Sequence, residues 1–89
     1  MTLERLVSKY IKTAESVFTE ITISNSVSSV DKEKIEDVIE QAKRYLEDAK
    51  HYQQRKRLET SLASVSYCEG LLDALRMLEV AKFSWPAKR

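Results

Sequence analysis

The sequence has one glycine, one proline, one cysteine and one histidine in 89 residues. So few turn-forming residues exclude hairpin-rich β folds, which need Gly, Pro or Asn at each tight turn. A single glycine satisfies neither of the glycine-rich nucleotide fingerprints. One Cys and one His complete neither a Cys/His zinc site nor a disulfide. No run approaches the ~20 apolar residues of a membrane span. The opening Met1-Thr2-Leu3-Glu4-Arg5 lacks the apolar core of a secretory signal. The lone Cys68 fits a reducing compartment, so a cytoplasmic protein is expected. An excess of one charge sign is missing too. Fifteen Lys and Arg against fourteen Asp and Glu leave a net charge of +1, which gives no global attraction to polyanions.

What is present is helical periodicity. At this length one domain is expected, with a modest core. Leu3, Val7, Tyr10, Ala14, Val17 and Ile21 recur at three- and four-residue spacing, with Leu6, Ile11 and Phe18 widening the stripe. This predicts a helix over about 2–22. The β-branched run Ile21-Thr22-Ile23 weakens its end. Ser24-Asn25-Ser26-Val27-Ser28-Ser29 reads as a loop, because short polar side chains compete for backbone hydrogen bonds. Ser28, Ser29 or Asp31 can cap the next helix. That helix is predicted over about 31–53, on a seam of Ile35, Val38, Ala42, Tyr45, Ala49 and Tyr52.

The third stretch, about 58–80, differs. Leu58, Leu62, Val65, Cys68, Leu71, Leu72, Leu75 and Leu78 cover most of its circumference and leave a polar wedge of Ser66, Glu69, Asp73 and Arg76. Such a helix is buried on more than one side, or one face docks onto a partner. Between the second and third stretches, Gln53-Gln54-Arg55-Lys56-Arg57 has no Gly, Pro, Asn or Asp. A compact monomer needs a break near 54–57, whereas a continuous helix would force dimerisation. Residues 81–89 form a basic aromatic tail in which Pro86 stops any helix.

Several constellations invite chemistry. Arg44 and His51 stand in an Arg-x6-His spacing, the loose pattern of HEPN-like RNA-acting nucleases, in which a cation faces a phosphate beside a base titrating near neutrality. A solvated Arg and a surface His explain the same spacing and need no cleft. Glu47, Asp48 and His51 share a face, but a di-iron bundle needs a second Glu-x-x-His, so no metal site is expected. Glu33, Glu36 and Glu40 are interleaved with Lys32, Lys34 and Lys43, which reads as an exposed mixed-charge face rather than a magnesium site. Lys50, Arg55, Lys56 and Arg57 are possible nucleic-acid contacts, or a helix end whose cations offset its dipole. Gly70 lies inside a helix, where it costs ~1 kcal/mol relative to Ala, so a close backbone contact is expected there. Phe83 and Trp85 lie outside any helical seam and either fold back on the bundle or anchor a partner.

Three segments carry a resemblance. Tyr67 followed by Gly70-Leu71-Leu72-Asp73-Ala74-Leu75-Arg76, then Arg44-Tyr45-Leu46-Glu47-Asp48-Ala49, then Lys9-Tyr10-Ile11-Lys12 with Ala14-Glu15, together resemble the signatures of a family of short archaeal helical proteins, the domain-of-unknown-function 357 family. The resemblance spans nearly the whole chain. It implies an all-α fold, a three-helix up-and-down antiparallel bundle, from an archaeal cytosol. It brings no catalytic residues. The family makes its second turn with a Gly-Asp type sequence, where this chain has Gln54-Arg55-Lys56-Arg57. In size and helicity the chain is also similar to the small accessory subunits of crenarchaeal family-B DNA polymerase holoenzymes.

These readings add up to a non-enzymatic accessory subunit, without cofactor or metal, that binds a larger protein, most concretely a DNA polymerase in replication. Tyr67, Glu69, Gly70, Asp73, Phe83 and Trp85 are the expected partner-binding residues. Nucleic-acid contact is expected to be weak or indirect, membrane contact absent and a homodimer open. The RNA-acting nuclease and a homo-oligomeric structural module are the alternatives.

Overall fold

The structure is a computed structural model and describes residues 1–86; the final residues 87–89 of the expected tail lie outside the described residues. In chain order it contains α1 (Leu3–Glu20), β1 (Thr22–Ile23), α2 (Ser29–Gln54), α3 (Leu58–Met77) and β2 (Ala81–Lys82). The fold is an all-α three-helix bundle with one two-residue antiparallel strand pair, drawn out to 42 × 24 × 17 Å.

Each helix begins and ends for a local reason. Thr2 caps α1, its hydroxyl accepting from the Arg5 N–H at 3.2 Å. Ser28 caps α2 in the same way, accepting from the Asp31 N–H at 3.2 Å, so α2 starts at Ser29, two residues before the periodicity indicates. Such caps contribute about 1 kcal/mol each. Helix α1 stops at Glu20 rather than 22, because the β-branched residues that follow turn extended and pair with the tail. Thr22 stands opposite Lys82 and Ile23 opposite Ala81, and the Ser24 N–H donates to the Val80 carbonyl at 2.9 Å.

Both α2 and α3 end in a left-handed residue that is not glycine. After α2, Lys56 takes φ 63°; its N–H donates to the Gln53 carbonyl, and the Arg57 N–H donates to that of Tyr52. After α3, Glu79 takes φ 60°, with Glu79 N–H to Arg76 and Val80 N–H to Leu75. Each is the paired 6→1 and 5→2 closure of a helix C-terminus. This closure is how a turn without Gly or Asn breaks the chain at 55–57. It also ends α3 at Met77, three residues short of the expected 80.

The core has two parts. The larger packs Val7, Ile11, Ala14 and Val17 of α1 against Ala42, Leu46 and Ala49 of α2 and Val65, Cys68 and Leu72 of α3. Small residues bring α2 and α3 close. Ser61 is fully buried, and its hydroxyl donates to the Ala49 carbonyl at 2.6 Å. The smaller core gathers Ile35, Leu75 and Ala81, with Ile23, Val27 and Val80 around them, beneath the strand pair.

The tail folds back. Phe83 and Trp85 pack against the larger core, edge to face with centroids 5.1 Å apart. The Trp85 indole N–H donates to the Asp73 carboxylate at 2.6 Å, and the Ser84 N–H donates to the Glu20 carboxylate at 2.7 Å.

Replacing Lys56 or Glu79 by Gly relieves the left-handed strain and is expected to raise stability by about 0.5–1 kcal/mol each, after the extra freedom Gly gives the unfolded chain. Trp85→Ala is expected to lower it by about 2 kcal/mol, below the range for a fully buried Trp. Urea denaturation of the three variants checks both directions.

Candidate interaction surfaces

The polar wedge of α3 does not face solvent as a unit. Glu69 is 9% exposed and lines a hollow between α1 and α3 with Leu6, Tyr10, Leu62 and Ser66. Asp73 is half-buried; it accepts from Trp85 and pairs with Arg76 at 3.4 Å. Of the six expected partner-binding residues, Phe83 and Trp85 thus lie half-buried on the bundle, Asp73 holds the tail, and Glu69 lies inside.

The other two meet on the outer face. Tyr67 is 64% exposed, its ring stacked on Tyr45 of α2 at 5.2 Å and 17°. Gly70 is exposed, and a Cβ added to it would meet nothing within 4 Å. The close backbone approach expected at Gly70 is therefore absent among the described residues. Tyr67 and Gly70 belong to an exposed row, Ala63, Tyr67, Gly70, Ala74 and Met77, at alternating four- and three-residue spacing. That spacing is the signature of a helix seam, here with no helix against it among the described residues. Ala63, Ser66, Tyr67, Gly70 and Leu71 border a shallow hollow of about 440 Å³. Periodicity does not single out this row, because α3 is apolar on nearly every side.

The basic residues divide differently from expectation. The Lys50 ammonium is held by Glu15 at 2.6 Å and Glu47 at 3.6 Å, so its charge is answered within the bundle. Its pKa is raised, first by the hydrogen bond to Glu15. Arg55, Lys56 and Arg57 stay exposed at the α2–α3 turn, with the Arg57 guanidinium 5.4 Å from the Tyr52 ring centre. This turn lies beside the start of α1, since Leu3, Lys56, Arg57 and Leu58 share one hollow. Along α1, Arg5, Lys9 and Lys12 line another hollow with Ser8 and Pro86. Sequence reading passed over these three; their i, i+4, i+7 spacing was the available signal.

Arg44 and His51 are both exposed on α2, two turns and roughly 10 Å of rise apart. His51 sits edge-on to Tyr52 at 5.5 Å, and neither residue lines the hollows described above. Among the described residues no group of three or more His, Cys, Asp or Glu is placed to hold a metal ion. No helix of the described residues is long and apolar enough to cross a membrane.

Residues 9–81 match the model of a family described as a protein of unknown function, DUF357. The chain belongs to this family. The match runs from Lys9 to Ala81, so it takes in β1, all of α2 and α3, and the first residue of β2. No curated protein and no solved structure matches the chain.

Cys68 is fully buried, and its thiol is pushed up to about 12, mainly by burial and further by the charge of Glu69. The folded protein thus holds this proton more tightly than the unfolded chain, whose thiol titrates near 9.0. The stability it contributes is fully present below pH 9 and is lost as pH rises towards 12. Cys68→Ala is expected to flatten the fall of the urea midpoint in that window. Native Cys68 is expected to resist thiol reagents that label it at once in denaturant.

Proposed function

We propose that this protein is a non-enzymatic interaction subunit that takes a helix of a larger protein along the outer face of α3. The observation that carries the reading is Gly70. A glycine inside a helix costs about 0.5–1 kcal/mol relative to alanine. The bundle gains nothing in return, because the space beside Gly70 is open. A residue that weakens its own fold without a packing reason fits a role outside it. The neighbours suit that role. Tyr67 supplies a large exposed ring steadied by Tyr45, Ala63 and Ala74 keep the row low, and Met77 is 74% exposed at its end. Aromatic anchors beside small residues are the pattern of interfaces that accept a helix in a groove.

In its most specific form the partner is a family-B DNA polymerase and the role belongs to DNA replication in an archaeal cytoplasm. Similarity in size and helical pattern supports that form. Of the two parts that its sequence allows, the tail takes the fold-back. Phe83, Trp85 and Asp73 hold the bundle together, and the partner is left to Tyr67 and Gly70.

The test uses two substitutions that the open space tolerates. Gly70→Ala is expected to raise the thermal midpoint by several degrees, the shift that about 1 kcal/mol gives a domain of this size. Gly70→Leu is expected to stay folded and to lose the partner. The tagged full chain and Gly70→Leu are passed through native extract, and bound proteins are identified by mass spectrometry. Recovery of polymerase subunits by the native chain alone supports the specific form, and their absence overturns it. The same proteins on both chains would overturn the α3 face as the docking site. Sedimentation at micromolar concentration gives the competing occupant: a dimer that Gly70→Leu dissociates would assign the face to a second copy.

A further inference from the structure

We propose that the end of the bundle formed by the start of α1 and the α2–α3 turn binds the phosphodiester backbone of nucleic acid without reading its sequence. The net charge of +1 conceals a strong separation. Segments 1–12 and 50–60 carry seven Lys and Arg against two Glu, whereas 13–49 carries four against nine Asp and Glu. The fold brings the two basic segments together. The Gln53 amide donates to the Ser8 hydroxyl at 2.9 Å across the α1–α2 contact, and Leu3 shares a hollow with Lys56 and Arg57. The result is a cationic pole on a body 42 Å long, built from Arg5, Lys9, Lys12, Arg55, Lys56 and Arg57.

Helix energetics account for only half of this pole. Arg55, Lys56 and Arg57 follow the C-terminus of α2, where cations offset the helix dipole. Arg5 lies in the first turn of α1, where the dipole disfavours a cation, and Lys9 and Lys12 follow in the second and third turns, where the dipole gives them no support. Among the described residues no carboxylate forms a salt bridge with them within 4 Å, whereas Lys50, the remaining cation of this end, is held by Glu15 and Glu47. Two of the six are also steadied: Lys9 stands 6.0 Å over the Tyr10 ring and Arg57 5.4 Å over that of Tyr52. Holding a cation over a ring lowers the entropy lost when it meets a phosphate.

The spacing fits a phosphate chain. Arg5 to Lys12 rises roughly 10 Å along the helix, which spans about three nucleotides of one strand at 3.4 Å each. Ser8, Gln53 and Gln54 lie between the cations of α1 and those of the turn, and such neutral donors also contact phosphates. A membrane surface fits less well. Cations that seat a protein on lipid work with inserted apolar side chains; of the large exposed ones among the described residues, Val30, Met77 and Leu78 lie at the opposite end, Tyr67 stands midway along α3, and Met1 alone lies here.

Fluorescence anisotropy of labelled duplexes with the full chain tests the proposal. Binding is expected at low ionic strength. With four to six phosphates contacted, the logarithm of affinity should fall against the logarithm of salt with a slope of about −4 to −5. The double variants Lys9→Gln/Lys12→Gln and Arg55→Gln/Arg57→Gln should each weaken binding at least tenfold and reduce the slope by about two. Lys32→Gln/Lys34→Gln at the far end should change neither. Similar slopes on duplex DNA and duplex RNA support backbone recognition, and binding to one alone identifies the source of the phosphates. No binding at low salt, a slope indifferent to both basic variants, or tighter binding to phosphatidylserine vesicles or polyglutamate than to either duplex would overturn it. Gly70→Leu should bind the duplexes as the native chain does, so failure here and failure of the α3 docking face are separable.

Discussion

Helix α3 brings more apolar surface into the bundle than α1 and α2 cover, and the rest of the fold follows from how that surface is shared. Val65, Cys68 and Leu72 go to the two helices. The close approach this requires is made by Ser61, Ala42 and Ala49, and the buried Ser61 hydroxyl finds its acceptor in the α2 backbone at Ala49. An unpaired hydroxyl at that contact would cost about 1–3 kcal/mol, so the hydrogen bond fixes the register of α3 on α2. Two helices still leave α3 open along another side. The tail closes part of it, and the strand pair sets the tail's direction. Once Ile23 and Ala81 are in register, Phe83 and Trp85 arrive over the core and the indole reaches Asp73.

Asp73 shows why composition misleads on such a helix. In sequence it reads either as a carboxylate offered to a partner or as one paired with Arg76, with no sign of Trp85. In the fold its Oδ1 accepts from the Trp85 indole and stands near the Arg76 guanidinium. A charged acceptor strengthens the indole bond to about 1.5–3 kcal/mol, and the exposed Arg76 adds little by itself. Asp73 therefore serves folding, Glu69 is buried beside it on the same helix, and the face proposed for a partner is the one whose residues are small.

The helical class, three helices and the core stripes of α1 and α2 were legible because their apolar residues recur at one period on one side. Val7, Ala14 and Val17, like Ala42 and Ala49, lie where the spacing puts them. The ends were less legible. Glu20, Met77 and the break at 55–57 are set by tertiary pairing and by left-handed residues whose identity gives no turn signal. On α3 periodicity failed, since a helix apolar on most sides has no single moment to read. The row through Tyr67 and Gly70 could be separated from the row through Cys68 and Leu72 only when the neighbours were in place. The cationic pole was hidden for a different reason: its halves lie some forty residues apart in sequence and meet only through the α1–α2 contact.

The placement of glycine joins these points. Two backbone positions, Lys56 and Glu79, adopt the left-handed conformation that glycine alone takes freely, and neither is glycine. The single glycine stands instead at residue 70, where the helix would be steadier with alanine. Stability alone would reverse each choice. At residue 56 the reversal would remove a cation from the pole beside α1. At residue 70 it would raise a side chain on an apolar row that the described residues leave uncovered. Two of the three departures from the most stable sequence, at 56 and 70, thus fall on the cationic and the apolar surface proposed for partners. Glu79 lies on neither, and nothing in the structure explains its retention over glycine.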